Sequence, residues 1–243
     1  NDAANAAAVS VSGSINAFVD LMNSRAEQLG LDDTHFVTPS GLDANGHYTT
    51  AHDLARLAAY AIQNEEFAAI CSQTTIKTEF GNPVSERWLK NSNKMLKFYG
   101  GANGVKTGFT DDAGRCLVSS AERDGLTLIA VTLYAPDDWN DHIRMLDYGF
   151  AQYEKHSVGQ RLEVSEIAVA GGEKESVKIK AAESVEVWLT AKQRQNLRGV
   201  VLLPRFVYAG VSAGERVGTI KLVSESVVVG EIPIFTAEEC KIK

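Results

Sequence analysis

A predicted β-strand begins with Val105-Lys106-Thr107-Gly108-Phe109-Thr110, and a glycine-rich loop, residues 100–104, precedes it. Further along the chain, residues 115–121 and 126–134 predict strands on either side of Asp124-Gly125. Asp and Gly tolerate the positive φ that a tight hairpin turn requires, so these strands should pair antiparallel. The region therefore predicts an antiparallel sheet.

Helical patterns lie on both sides of this predicted sheet. Residues 1–30 predict two helices, the second capped by Ser14 and ended by Gly30. Residues 50–53, Thr-Ala-His-Asp, resemble a capping box with Asp in place of Glu. Asp137-Asp138 predicts the start of a further helix, because carboxylates are favourable at the positive end of a helix. We expect these carboxylates to be exposed to solvent. Helices around an antiparallel hairpin predict an α+β fold.

The sequence pattern changes after residue 155. Short β-branched segments alternate with Gly, Glu or Ser turns, at residues 161–169, 176–179, 185–189, 200–203, 218–223 and 227–232. Such spacing is typical of a small all-β sandwich. We therefore predict two domains, residues 1–155 and 156–243.

Composition narrows the functional classes. The chain has 243 residues, 44% hydrophobic, with a net charge of −7, which is typical of a globular protein. Lys and Arg do not cluster, so no nucleic acid is expected as a partner. No apolar run approaches the ~20 residues of a membrane span.

Cysteine and histidine spacing predicts neither a metal site nor another cofactor. The five histidines are assigned to loops, caps and the surface. Cys116 is interpreted as a small buried hydrophobic residue. The tryptophans, Trp88, Trp139 and Trp188, are scattered and are assigned to the core or its rim.

The triplet Lys106-Thr107-Gly108 carries the chemistry that we predict for the strand. A lysine ammonium attracts a carboxylate, a threonine hydroxyl can donate to it, and glycine permits close approach. The alternative is that Lys106 is an ordinary surface lysine.

The ordered motifs resemble one known family. They are Asn1-Asp2-Ala3-Ala4, then residues 35–43 (His-Phe-Val-Thr-Pro-Ser-Gly-Leu-Asp), residues 48–55 (Tyr-Thr-Thr-Ala-His-Asp-Leu-Ala), Asn91-Ser92-Asn93-Lys94 and Lys106-Thr107-Gly108. In this order they resemble the low-molecular-weight penicillin-binding proteins that are serine-type D-alanyl-D-alanine carboxypeptidases. The resemblance implies a partial penicillin-binding/β-lactamase-like transpeptidase domain followed by a β-rich domain.

The resemblance also implies an acyl-enzyme mechanism. Family members use a Ser-x-x-Lys nucleophile, a Ser-x-Asn element and Lys-Thr-Gly. No Ser-x-x-Lys occurs in this chain, so we expect the nucleophile in an N-terminal segment of the same protein. Asn1 resembles the last residue of Ser-Gly-Asn. Ser14-Ile15-Asn16 also fits Ser-x-Asn, although Ser14 suits a helix cap better.

Site roles follow from the resemblance residue by residue. Asn1 and Lys106 are the implied catalytic residues, and Lys106, Thr107, Gly108 and Phe109 are the implied substrate-binding residues, with the backbone N–H of Phe109 as an oxyanion donor. Many relatives add an Arg beyond the hairpin that helps to bind the carboxylate. This chain has acidic residues there instead, and we expect neither Arg115 nor Arg144 to replace that Arg.

The implied partners are a peptidoglycan stem peptide ending in D-Ala-D-Ala, β-lactam antibiotics and the N-terminal segment. The implied location is extracytoplasmic, in the cell envelope. Family members are often anchored by a C-terminal amphipathic helix, but Lys241-Ile242-Lys243 is too short to be one, so we expect any such anchor to be absent from this chain. The alternatives are a β-lactamase or esterase on the same scaffold, or a non-catalytic peptidoglycan-binding protein.

Overall fold

The structure is a computed structural model that describes residues 1–243. The chain divides into two compact units, Asn1–Phe150 and Ala151–Lys243. The sequence pattern had placed this division after residue 155. None of the helices combines the length and apolar character that a bilayer-spanning segment needs.

The N-terminal unit contains six helices. They are α1 Asp2–Ser12, α2 Ile15–Gln28, α3 Ala51–Ala61, α4 Glu65–Cys71, α5 Met95–Phe98 and α6 Asp138–Gln152. Of these, α2, α3 and α4 begin at a side-chain cap. The predicted caps Ser14 and Thr50 both accept a hydrogen bond from a backbone N–H three residues later. Each cap satisfies an N–H group that the helix itself leaves unpaired.

The capping box of α3 is incomplete. Asp53 stands at its third helical position, but the carboxylate accepts from Thr34 Oγ1 at 2.8 Å and from the backbone N–H of Asp33 at 3.0 Å. The hydrogen bond from Thr34 and the one from the Asp33 backbone lower the pKa of Asp53, although burial opposes them. Asp53 therefore fastens the preceding loop to α3.

The strands of the N-terminal unit form two sheets. They are the hairpin β1 Thr75–Phe80 with β2 Ser85–Lys90, and the sheet of β3 Ala102–Thr110, β4 Gly114–Arg123 and β5 Leu126–Thr132. The second sheet is antiparallel in the order β3-β4-β5. Asp124 at φ 51° and Gly125 at φ 85° join β4 to β5, which confirms the predicted hairpin.

The core of this unit lies between α6, α5 and the three-stranded sheet. Its fully or almost fully buried side chains include Met95, Leu117, Ala121, Ala130 and Leu146. The hydrophobic effect on these side chains holds α6 against β4 and β5. The α+β prediction is confirmed.

The C-terminal unit is mostly β-structure. Its elements are β6 Tyr153–Val158, β7 Glu166–Ala170, β8 Ser176–Ala181, β9 Val185–Thr190, the short helix α7 Ala191–Gln195, β10 Arg198–Leu202, β11 Phe206–Tyr208, β12 Arg216–Ser224 and β13 Val227–Thr236. One sheet has the order β10-β12-β13-β8-β7-β11, and the other pairs β6 with β9. β11 pairs parallel with β7, unlike the other strand pairs.

The two sheets of this unit enclose one hydrophobic core. Val187 and Leu189 of β9 pack with Ile220, Ile232 and other buried residues of the larger sheet. A Cβ at Gly230 would lie only 2.4 Å from Val187 Cγ1, so glycine lets β9 approach β13 closely. This confirms the predicted sandwich. The sequence pattern missed β6, β11 and α7, and it began the first predicted strand at residue 161, whereas β7 begins at Glu166.

Candidate functional site

Strand β3 carries the predicted substrate-binding residues at an edge of its sheet. Lys106 pairs with Val118, and Gly108 pairs with Cys116 of β4. β4 is the only strand beside β3, so the other edge of β3 has no strand partner. An edge of this kind can accept an extended peptide through main-chain hydrogen bonds.

The side chains along this edge are accessible. Lys106, Gly108 and Phe109 are exposed, whereas Thr107 is half-buried. The ammonium of Lys106 donates to the carbonyl oxygen of Thr107. An ammonium has three N–H donors, so further donors remain for an anionic group. The strand therefore presents a positive charge and a hydroxyl to solvent.

Packing within the protein does not require glycine at position 108. A Cβ there would lie 3.6 Å from Cys116 Cβ, an ordinary van der Waals distance. The conformation of Gly108 is not one that excludes side chains, since its φ is not positive. Because Gly108 is exposed and has no side chain, the surface of the strand stays open at this position. The predicted close approach of a ligand would require such an opening.

An apolar cavity of about 280 Å³ adjoins the strand. Its walls come from α3, the adjacent α4, β3 and β4, and they include Leu54, Leu57, Phe67, Val105 and Cys116. Cys116 is half-buried, with its thiol directed to the carbonyl of Ala113. The prediction that Cys116 is a buried core residue is therefore wrong, because it lines this cavity.

Cys71 is the cysteine whose ionisation Lys106 influences. Burial raises the pKa of the Cys71 thiol, and the positive charge of Lys106 only partly opposes that effect. The thiol therefore stays protonated near neutral pH, and a protonated thiol is a poor nucleophile.

The other predicted catalytic residue, Asn1, lies at the start of α1. It is exposed, and its side chain makes no capping hydrogen bond. The hydrogen bonds of the structure do not connect Asn1 to β3. Ser14 of the alternative Ser-x-Asn match is engaged as the cap of α2, where its Oγ accepts from Ala17 N at 3.1 Å.

The two arginines that could assist carboxylate binding are both paired with acids. Arg115 donates to both carboxylate oxygens of Asp138, at 2.7 and 2.9 Å. Arg144 donates to Asp141 and lies 3.8 Å from Asp137. Asp138 is only 3% exposed, so its description as part of a solvated helix start is wrong. The buried carboxylate lies inside the fold because the Arg115 guanidinium neutralises it.

Histidine placement was predicted incorrectly at His142. This residue of α6 is fully buried, and its ring nitrogens are hydrogen-bonded to the hydroxyls of Ser119 and Thr132, the latter at 3.0 Å. Burial lowers the pKa of His142 to about 4, although Asp138 and Asp141 oppose it. The ring lies on the apolar face of α6. This position was the sequence signal from which the burial of His142 could have been predicted.

Trp88 was also predicted incorrectly. Its side chain is 66% exposed on the β1–β2 hairpin, which contributes no buried residue to a core. Trp139 fits its assignment to the rim, since it is partly buried at the edge of the core of the N-terminal unit. The Arg115 guanidinium lies over its ring, with Cζ 5.5 Å from the ring centre.

The loop of residues 91–94 contacts the candidate site. These residues were quoted above as a family motif but were assigned no role in the site. Ser92 Oγ lies 3.0 Å from Thr107 Oγ1. Neighbouring Asn93 is 3% exposed and donates to the carbonyl oxygen of Gly104 on β3, also at 3.0 Å. The fold thus places residues 91–94 beside the strand that carries Lys106.

Comparison with known families divides the chain in a similar way. A family model described as D-alanyl-D-alanine carboxypeptidase, peptidase S11, matches residues 1–137. A second model, described as the C-terminal domain of penicillin-binding protein 5, matches residues 150–241.

Curated proteins and solved structures show the same likeness. The D-alanyl-D-alanine carboxypeptidase DacF of Bacillus subtilis is 33% identical over 249 residues, which cover 99% of this chain and 63% of the relative. DacC of Escherichia coli is 33% identical, covering 98% of this chain and 60% of the relative. Penicillin-binding protein 5 of Haemophilus influenzae aligns with a TM-score of 0.65 at 27% identity, covering 99% of this chain and 71% of that structure. The chain thus spans about six tenths of the length of these curated relatives.

Proposed function

Because the chain belongs to the peptidase S11 family of D-alanyl-D-alanine carboxypeptidases, we propose that it forms the carboxylate-binding part of a serine D,D-carboxypeptidase. The substrate is a peptidoglycan stem pentapeptide, from which the enzyme removes the terminal D-Ala. The observation that carries this proposal is the position of Lys106-Thr107-Gly108 on the open edge of β3, with Lys106 and Gly108 exposed and Thr107 half-buried.

Lys106 and Thr107 bind the C-terminal carboxylate of the substrate. The ammonium supplies charge, and the hydroxyl supplies a directional hydrogen bond. The peptide lies along β3 as an added strand. Backbone N–H of Phe109 donates to the oxyanion that forms at the scissile carbonyl, and Asn1 orients the substrate amide.

The nucleophile belongs to an N-terminal segment of the same protein, since no serine in this chain is followed three residues later by lysine. The serine hydroxyl attacks the carbonyl carbon of the terminal peptide bond, and the lysine of that segment takes its proton. The C–N bond then breaks, D-Ala leaves as the protonated amine, and water hydrolyses the acyl-enzyme. β-Lactams acylate the same serine.

The reaction takes place outside the cytoplasmic membrane, because its substrate is part of the cell wall. This location is in line with the peptidoglycan enzymes among the chain's relatives. The formal net charge of the chain is −7, and a negative charge does not favour nucleic acid as a partner.

A fluorescent penicillin and the full-length protein test the proposal. Stable covalent labelling, together with release of D-Ala from a D-Ala-D-Ala peptide, is the expected result. Rapid turnover of the drug would instead support a β-lactamase or esterase, and absence of labelling would support a non-catalytic peptidoglycan-binding protein.

Lys106→Ala in the full-length protein should lower kcat/KM for a D-Ala-D-Ala peptide about ten-fold or more, since a hydrogen bond to a charged group contributes about 1.5–3 kcal/mol. Lys180→Ala is the matched control, because Lys180 is an exposed strand lysine of β8 in the other unit. Steady-state kinetics of D-Ala release measure both variants. Equal kcat/KM for Lys106→Ala and wild type would remove Lys106 from the site.

A further inference from the structure

The loop between β2 and α5 is fastened to the C-terminal end of α4. Asn91 Nδ2 donates to the carbonyl oxygens of Cys71 and Gln73, at 3.3 and 3.0 Å. Its Oδ1 accepts from the backbone N–H of Asn93 at 2.9 Å. One amide side chain therefore holds both the start of the loop and the turn that follows.

The same loop is fastened to β3 by Asn93. This side chain is buried, and its Nδ2 donates to the carbonyl oxygen of Gly104 at 3.0 Å. Its Oδ1 accepts from the backbone N–H of Met95 at 3.0 Å, at the first residue of α5. A buried amide with both ends hydrogen-bonded fixes the backbone on either side of it.

Ser92 lies between these two anchored residues, with its Oγ 3.0 Å from Thr107 Oγ1. Each hydroxyl has one hydrogen to donate and can also accept. When Thr107 donates its hydrogen to a substrate carboxylate, the Ser92–Thr107 contact persists only if Ser92 is the donor. The hydroxyl hydrogen of Thr107 then points away from Ser92.

We infer that Ser92 is a positioning residue that orients the Thr107 hydroxyl as a donor to the substrate carboxylate. The inference rests on the proposed function, which gives Thr107 that carboxylate as its acceptor. A chain of hydroxyls donating in one direction also polarises each bond in it, which strengthens the final bond to the anion. Ser92 acts through Thr107 and does not itself contact the substrate.

The structure separates this role from a purely structural one. Ser92 is exposed, and the loop is held by the side chains of Asn91 and Asn93. Removing the Ser92 hydroxyl leaves all of those bonds in place. Ser92→Ala should therefore keep the melting temperature of the wild-type protein.

Kinetics of the full-length protein test the inference, with D-Ala release from a D-Ala-D-Ala peptide as the assay. Ser92→Ala should lower kcat/KM about three- to ten-fold, mainly through KM, as expected for the loss of a single hydrogen bond. Ser92→Thr, which keeps the hydroxyl, should restore most of the loss. The matched control is Ser176→Ala, which removes a serine hydroxyl bonded to Glu166 in the other unit.

A double-mutant cycle gives the decisive readout. In a Thr107→Val background, which has no hydroxyl to orient, Ser92→Ala should have no further effect. Wild-type kinetics for Ser92→Ala, or an equal loss in the Thr107→Val background, would overturn the inference while the proposed function stands. A wild-type protein that releases no D-Ala would overturn the proposed function and this inference with it.

Discussion

His142 is a titratable side chain that the fold holds in its neutral form. The ring is fully buried between the hydroxyls of Ser119 and Thr132. A neutral imidazole has one donor and one acceptor nitrogen, and hydroxyls can complement both. Protonation would place a charge in the core, which explains why burial lowers the pKa of His142 to about 4.

This lowered pKa makes stability depend on pH. The ordinary pKa of 6.5 applies in the unfolded state, whereas the folded value is about 4, so the unfolded chain binds the proton first as the pH falls. The contribution of His142 is fully present above pH 6.5 and is lost as the pH falls towards 4. Between pH 7 and pH 5 the loss in the free energy of unfolding should be about 2 kcal/mol.

Urea unfolding of wild type and His142→Gln at both pH values measures this loss. The variant cannot titrate at this position, so its stability should fall by about 2 kcal/mol less than that of wild type. His52→Gln is the control, because the side chain of His52 is 77% exposed. Parallel pH dependence of wild type and His142→Gln would show that His142 does not contribute.

At the scale of elements, the β4–β5 hairpin depends on its turn residues. Gly125 has φ 85°, and nothing lies within 4 Å of the position that a Cβ would occupy. Strain alone therefore decides the effect of a side chain there. Since the left-handed conformation costs an L-residue about 1–2 kcal/mol, Gly125→Ala should lower the free energy of unfolding by about 1 kcal/mol.

Gly100→Ala is a control for this prediction within the same unit. Gly100 also has no atom within 4 Å of a Cβ, but its φ is not positive. This substitution should leave stability unchanged or raise it by about 0.4–1 kcal/mol, because alanine restricts the unfolded chain. Thermal or urea unfolding measures both variants. Equal effects at the two glycines would contradict the assignment of strain to Gly125.

At the scale of the whole molecule, each unit contains its own hydrophobic core. The 243-residue chain includes the strand with Lys106-Thr107-Gly108 but no Ser-x-x-Lys motif. We therefore predict that this chain alone folds but is not labelled by a fluorescent penicillin, whereas the full-length protein is labelled. Gel fluorescence measures labelling, and circular dichroism with a thermal melt verifies that the chain is folded. Labelling of the folded 243-residue chain would place a nucleophile within it.

The sequence by itself determined features that depend on neighbouring residues. The caps at Ser14 and Thr50, the turn at Asp124-Gly125 and the Lys106-Thr107-Gly108 strand were all predicted correctly as local structure. Caps, turns and strand alternation involve residues a few positions apart, so a short window of sequence contains the whole interaction. The ordered motifs also identified the family, which the family models confirm.

Only the tertiary structure decided which distant residues meet. Ser119 and His142 are 23 positions apart, as are Arg115 and Asp138, and Ser92 lies 15 positions from Thr107. The apolar face of α6 could indicate that His142 is buried, but no local pattern identifies Ser119 and Thr132 as its hydrogen-bond partners. These contacts form because α6 and the 91–94 loop pack against the sheet, which brings distant side chains close to one another. Polar groups that become buried in this way then require a hydrogen-bond partner.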